Sequence, residues 1–346
     1  MVYSVQYLRA LAALLVVVAH SLHKVGQLSS VPIEGFTLGG AGVDLFFIIS
    51  GFVMCHVSAN KSISPVNFMR ARLVRILPLY WLLTCAALVV FLINPGMVNS
   101  SGGVTTLVHS FTLFPVGQKL LIQNGWTLSY EFWFYLIFAL GLQVQGAARL
   151  AIVSVIIVGL VALGMWLKPL APALSFATQP LLLEFLMGCA AYGLIRREWL
   201  GRPAYLLILA LGLAGAVVAN NCPGSASRVL LWGVPMMAVF IGCVGLEAWF
   251  RQWAEHAVGR LLKGLGDASY SLYLSHPFAI STVAVLLKKS GLQHYALLSV
   301  IALVVASWVA GQLCYVFVEK PLLKRFRHWG QPRQQDTHAA VTPLRP

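Results

Sequence analysis

Ten stretches of this 346-residue chain are each apolar for about the length a helix needs to cross a bilayer. A spanning helix takes about 20 mostly apolar residues. The stretches lie near 5–24, 38–57, 76–95, 126–143, 149–167, 178–195, 203–220, 228–248, 269–287 and 294–318. In hydrocarbon every backbone N–H and C=O must be satisfied within its own segment, so each stretch reads as an α-helix. The expected fold is all-α, a polytopic membrane helix bundle with about ten transmembrane helices. Composition points the same way. Charged residues make up 10% of the chain and hydrophobic ones 59%, where a soluble domain carries roughly a quarter charged residues. The mean hydropathy is +0.82. A net charge of +14 would suggest nucleic acid in a soluble protein. Here it is explained first by the lysines and arginines that gather in cytoplasmic loops, and no nucleic-acid partner is expected.

The positive charges orient the bundle. With the N-terminus in the cytoplasm, eighteen of the 24 lysines and arginines fall on the cytoplasmic side and six on the other. Both termini are therefore expected inside, with His20 toward the outer half of the first helix and Arg9 near the inner face. The first apolar run is as long as a spanning helix, so no cleavable signal peptide is expected. The six cysteines form no C-x-x-C pair and five sit in apolar runs, so neither a metal site nor a disulfide framework is expected. Residues 1–325 read as one membrane domain. Residues 326–346 read as a short cytoplasmic tail whose basic start suits anionic lipid head groups. The longest connection, 96–125, contains "VTTLVHSFTLF", which suits a short interfacial or re-entrant helix.

Ionisable residues at membrane depth are costly and usually face a protein interior or a wet cavity. Arg9 and His20 are eleven residues apart, about three turns, so they share a helix face about 16 Å apart along the axis. Asp44 and Ser50 fall in the second span, Glu131 and Tyr135 in the fourth, Glu184 in the sixth, and Asp267, Tyr270, Tyr273 and His276 at the start of the ninth. Structural readings stand beside the functional ones. Arg9 also suits a positive-inside anchor, His20 and His276 also suit hydrogen-bonded packing, and Asp44 or Glu131 also suits a structural ion pair. Tyr270 and Tyr273 read as belt or packing residues. In "NFMRARLVRILPLYW", Arg72 and Arg75 share a helix face next to Arg70. Such a cluster serves either as topogenic charge or as a phosphate grip.

Several of these stretches together resemble the membrane-bound acyltransferase family 3. They are the R-x(10)-H of Arg9 and His20, "GVDLFFIISGF", "RARLVRILPLYW", "GWTLSYEFWFY", "SYSLYLSHP" and "FVEKPL", all in family order over about residues 1–325. "VQYLRALAALLVVVAH" and "NGWTLSYEFWFYLIFAL" are most similar to its ExoZ-type exopolysaccharide O-acetyltransferase branch. The resemblance implies transfer of an acyl group, usually acetyl from cytoplasmic acetyl-CoA, to a hydroxyl of a glycan or lipid-linked sugar at the bacterial inner membrane. Acetyl-CoA would enter as a substrate, with no permanently bound cofactor. By motif, His20 carries over as the catalytic histidine and Arg9 as its partner on the donor path. Asp44, Glu131 and His276 carry over as further motif positions, and Arg70, Arg72 and Arg75 as a grip for CoA phosphates.

On this reading the donor's anionic head is held at the inner face and its thin arm threads a polar cavity toward His20. An imidazole can take the proton of an attacking hydroxyl. Glu131 or Asp44 would fix its tautomer, as the acid of a triad does. A covalent acyl-histidine relay is the alternative route. A transporter of glycans or small solutes is the rival class, since many spans with buried charges suit it equally.

Overall fold

The computed structural model describes residues 2–29, 35–59, 61, 63–98, 103–221 and 227–330. Cys222 and residues 331–346, which include Arg333, Arg345 and most of the expected tail, lie outside the described residues.

Helices occupy all ten expected positions. They are α1 (Tyr3–Ser29), α2 (Gly39–Ser58), α3 (Pro65–Ile93), α4 (Gly125–Gly141), α5 (Gly146–Leu167), α6 (Leu182–Arg196), α7 (Arg202–Asn221), α8 (Val234–Gly245), α10 (Ser269–Lys289) and α11 (Ala296–Cys314). Shorter helices among the described residues include α9 (Ala257–Asp267) and α12 (Lys320–Gly330). Among the described residues, eight helices are long and apolar enough to cross a membrane by themselves. A ninth span forms if Val229–Gly245 and Glu247–Glu255, bent by 61°, count as one. Helix α4 has 17 residues, about 25 Å at ~1.5 Å per residue, the lower limit for a span. Among its described residues, the 96–125 connection forms two short helices, Pro95–Val98 and Leu107–Thr112. The second is tied to α3 by Tyr80, whose hydroxyl donates to the Ser110 carbonyl.

Polar contacts at the helix ends sort the loops into two groups. At one end, the Tyr3 and Ser4 amides donate to the Glu247 carboxylate. There too, Arg149 reaches the carbonyls of Ser58 and Val144. At the other end, Asn220 holds the Gly35–Leu38 turn.

Bilayer helices gain little from hydrophobicity against one another, so small residues that allow close approach set the crossings. At the α2–α6 crossing, a Cβ on Gly51 would lie 2.0 Å from the Phe185 carbonyl oxygen, and one on Gly188 would lie 2.0 Å from that of Ile48. Around this crossing pack Phe47, Phe134 and Phe185, whose rings stack at 4.5 Å. Helices α5, α7 and α11 are among the least buried and present Val155, Leu207, Leu211, Val305 and Val309 outward as lipid-facing surface. Two helices are amphipathic and basic on one face: α12, as the sequence suggests, and α9, with Arg260 and Lys263 beside exposed Val258 and Leu261.

Candidate active site

Helices α1 and α10 run side by side and meet twice through polar side chains. Near the N-terminal ends of both helices Arg9 Nε donates to Ser269 Oγ at 3.2 Å. Further along, the rings of His20 and His276 stack with centroids 5.0 Å apart, and His20 Nδ1 lies 2.7 Å from His276 Nε2. The R-x(10)-H spacing thus places both α1 residues against the same neighbouring helix.

The lower meeting opens into a cavity of about 870 Å³, open mouth included, lined by Arg9, Arg72, Arg75 and Glu131 among apolar residues of α2, α3, α4 and α10. Helix α3 begins with Ser64 accepting a hydrogen bond from the Asn67 amide and with Pro65 at its first position, the usual entry signals of a helix. That start sets Arg72 and Arg75 on the cavity side. Arg75 pairs with Glu319, which is 1% exposed and also accepts from Ser271 Oγ at 2.5 Å. Among the described residues Arg72 makes no such ion pair, and its buried Nε has no hydrogen-bond partner. Glu131 accepts from the Tyr135 hydroxyl at 3.2 Å. With Arg75 neutralised by Glu319 and Glu131 opposed by Arg9 and Arg72, the cavity keeps a positive balance. Arg70 does not join it; its side chain is exposed elsewhere on the first turns of α3.

The upper meeting fixes the tautomers. His276, fully buried, points Nδ1 at the Leu272 carbonyl, 3.1 Å away. A carbonyl can only accept, so Nδ1 carries the proton and Nε2 of the neutral ring offers a lone pair. His20 Nδ1 is then the donor of the 2.7 Å bond, and His20 Nε2 is left with a free lone pair. His20 is exposed. Asn124 braces the pair from α4: its amide nitrogen donates to the Tyr273 carbonyl at 2.9 Å and lies 3.5 Å from His276 Nε2.

Two expectations are corrected by this geometry. Neither Glu131 nor Asp44 holds the His20 imidazole; His276 occupies that position. Asp44, fully buried, takes both ends of the Arg228 guanidinium at 3.0 Å. Nor does His20 line the cavity that holds Arg9. The cavity ends at Thr127 and Tyr273, whose hydroxyls are 3.0 Å apart and bridge α4 to α10 one turn below His276. Of the two readings of Tyr273, packing holds: it is buried and stands between the arginines and the histidines. No local sequence signal marks Asn124, Ser269 or Glu319 as site residues. Glu319 is the acid inside the quoted "FVEKPL", yet nothing local in that run reveals its partner 244 residues away.

A family model described as an acyltransferase domain matches residues 2–312. The exopolysaccharide production protein ExoZ of Rhizobium meliloti is 35% identical over 84% of this chain and 92% of its own length. The acyltransferase MdmB of Streptomyces mycarofaciens is 34% identical over 30% of this chain and 28% of its own. No solved structure matches. The family match covers most of the chain, and with it the polytopic bundle described above belongs to the membrane-bound acyltransferase family 3 and is an acyltransferase.

Proposed function

We propose that the chain transfers an acetyl group from cytoplasmic acetyl-CoA to a hydroxyl of an exopolysaccharide or its lipid-linked precursor, at the bacterial inner membrane with both termini inside. The observation that carries the reading is the His20–His276 pair set directly beyond a positively balanced cavity. The name of the Rhizobium relative supports the acceptor class. The positive cavity supports a donor with a phosphate-bearing head.

Phosphates of the donor bind Arg72 and Arg9, where charge-assisted hydrogen bonds are strong. The thioester reaches the histidines past Tyr273. His20 Nε2 takes the proton of the sugar hydroxyl as its oxygen attacks the thioester carbonyl carbon. The tetrahedral intermediate then expels the CoA thiolate, which receives that proton from His20 Nε2. An ester forms, a thioester breaks, and the base is regenerated. His276 holds His20 in the required tautomer throughout.

The purified chain in lipid nanodiscs tests this. Acetyl-CoA with de-O-acetylated exopolysaccharide oligosaccharides should release CoA thiol and yield acetylated sugar. Thiol release that never depends on the saccharide, with no acetyl on sugar, would sink the proposal.

A further inference from the structure

A second hollow lies between the loop before α4 and the segment Pro172–Gln179 before α6, and encloses about 910 Å³, open mouth included. None of its lining residues is charged. Its walls are aromatic. Tyr130 and Phe176 lie with ring centroids 4.0 Å apart, and Trp126 stands edge-on to Tyr130 at 5.8 Å. Trp126 is also held between Phe47 and the Arg228 guanidinium, so it is a fixed platform. Around the rim stand Gln118, Gln123 and Gln179, whose side-chain amides make no hydrogen bond to the described residues.

We propose that this groove is the acceptor subsite and binds uncharged pyranose residues of the glycan. Aromatic faces pack against the C–H face of a sugar ring, and amides both donate to and accept from its hydroxyls. An uncharged lining disfavours phosphates and other anions, which the arginine cavity would draw instead. The groove is linked to the histidine pair through one step of the chain. Gln123 lines it, and the next residue, Asn124, braces His276. Its outer wall is built at some conformational expense: Leu113 takes a left-handed backbone (φ 57°), and Ser129 Oγ donates to its carbonyl at 2.7 Å, which sets Phe114 beside the hollow. A sugar seated here would leave a hydroxyl free to reach the exposed His20.

The inference rests on the proposed acetyl transfer, and its test separates the two. The probe is the mixture of single-repeat oligosaccharides from the producing cell's own exopolysaccharide after mild alkaline de-O-acetylation. Binding to the full chain in nanodiscs is measured without donor, and acetyl-CoA binding is measured separately. Phe176→Ala should weaken oligosaccharide binding about tenfold, the upper end of one aromatic contact. Gln179→Ala and Gln118→Ala should weaken it severalfold. Acetyl-CoA affinity should hold in all three variants. Gln118 is exposed, so its variant keeps the test open if Phe176→Ala fails to fold. Unchanged sugar affinity in the folded variants, parallel loss of donor binding in all three, or no oligosaccharide binding by the unaltered chain would each overturn the groove assignment. Weakened sugar binding in a protein that never transfers acetyl would leave the groove standing and remove the proposed reaction.

Discussion

A carboxylate beside His20 would place a full charge in a part of the bundle where charge is costly. The chain uses a second neutral imidazole instead. His276 gives up the stabilisation of an imidazolium that a carboxylate would supply, but it needs no counter-ion of its own. Two consequences can be measured. His20→Ala should lower turnover by about 10²–10⁴-fold, the usual contribution of general acid–base catalysis, with acetyl-CoA affinity unchanged because the arginines lie in a separate cavity. His276→Ala should lower turnover with both KM values unchanged, and His276→Gln, whose amide oxygen can still accept from His20 Nδ1, should recover part of it. Full turnover in His276→Ala would end the positioning role. The arginines divide in the same way. Arg72→Gln should raise the KM for acetyl-CoA with normal folding, by up to about 1.5–3 kcal/mol of lost charge-assisted bonding. Arg75→Gln should mainly reduce the yield of folded protein, because it strands the buried Glu319 carboxylate. An unchanged donor KM in Arg72→Gln would return that residue to a topogenic role.

At the scale of elements, the α2–α6 crossing sets the floor on which the aromatic core and α4 rest. Gly188→Ala would drive a methyl to 2.0 Å from the Ile48 carbonyl, a rigid backbone atom. Overpacking of this kind typically costs about 1–3 kcal/mol, so the variant should melt at lower temperature in detergent. Gly193→Ala, one helix face away with nothing within 4 Å of the new methyl, should be neutral or slightly stabilising. Equal melting temperatures for the two variants would show that the close approach does not limit stability.

For the whole molecule, the distribution of lysines and arginines makes one topological statement. In a background without native cysteines, single cysteines at positions 63 and 200 should be shielded from an impermeant thiol reagent in intact cells. Those at 170 and 290 should react. Labelling at 200 from outside would invert the bundle and with it the side from which the donor enters. The positions and approximate lengths of the apolar helices follow from sequence alone, because each apolar run must satisfy its own backbone in lipid, and the charge bias of the loops supplies the expected direction that the labelling tests. The shared face of Arg9 and His20 is equally local, fixed by helical periodicity. What required the tertiary structure were the partners across helices. His276 in place of a carboxylate, Arg75 with Glu319, Asp44 with Arg228, Tyr273 between cavity and histidines, and the uncharged groove behind Asn124 all depend on which helices become neighbours and at what height. Hydropathy is blind to that choice, because every lipid-spanning helix looks alike to the bilayer; small-residue crossings such as Gly51 on Gly188 and the geometry of buried hydrogen bonds decide it.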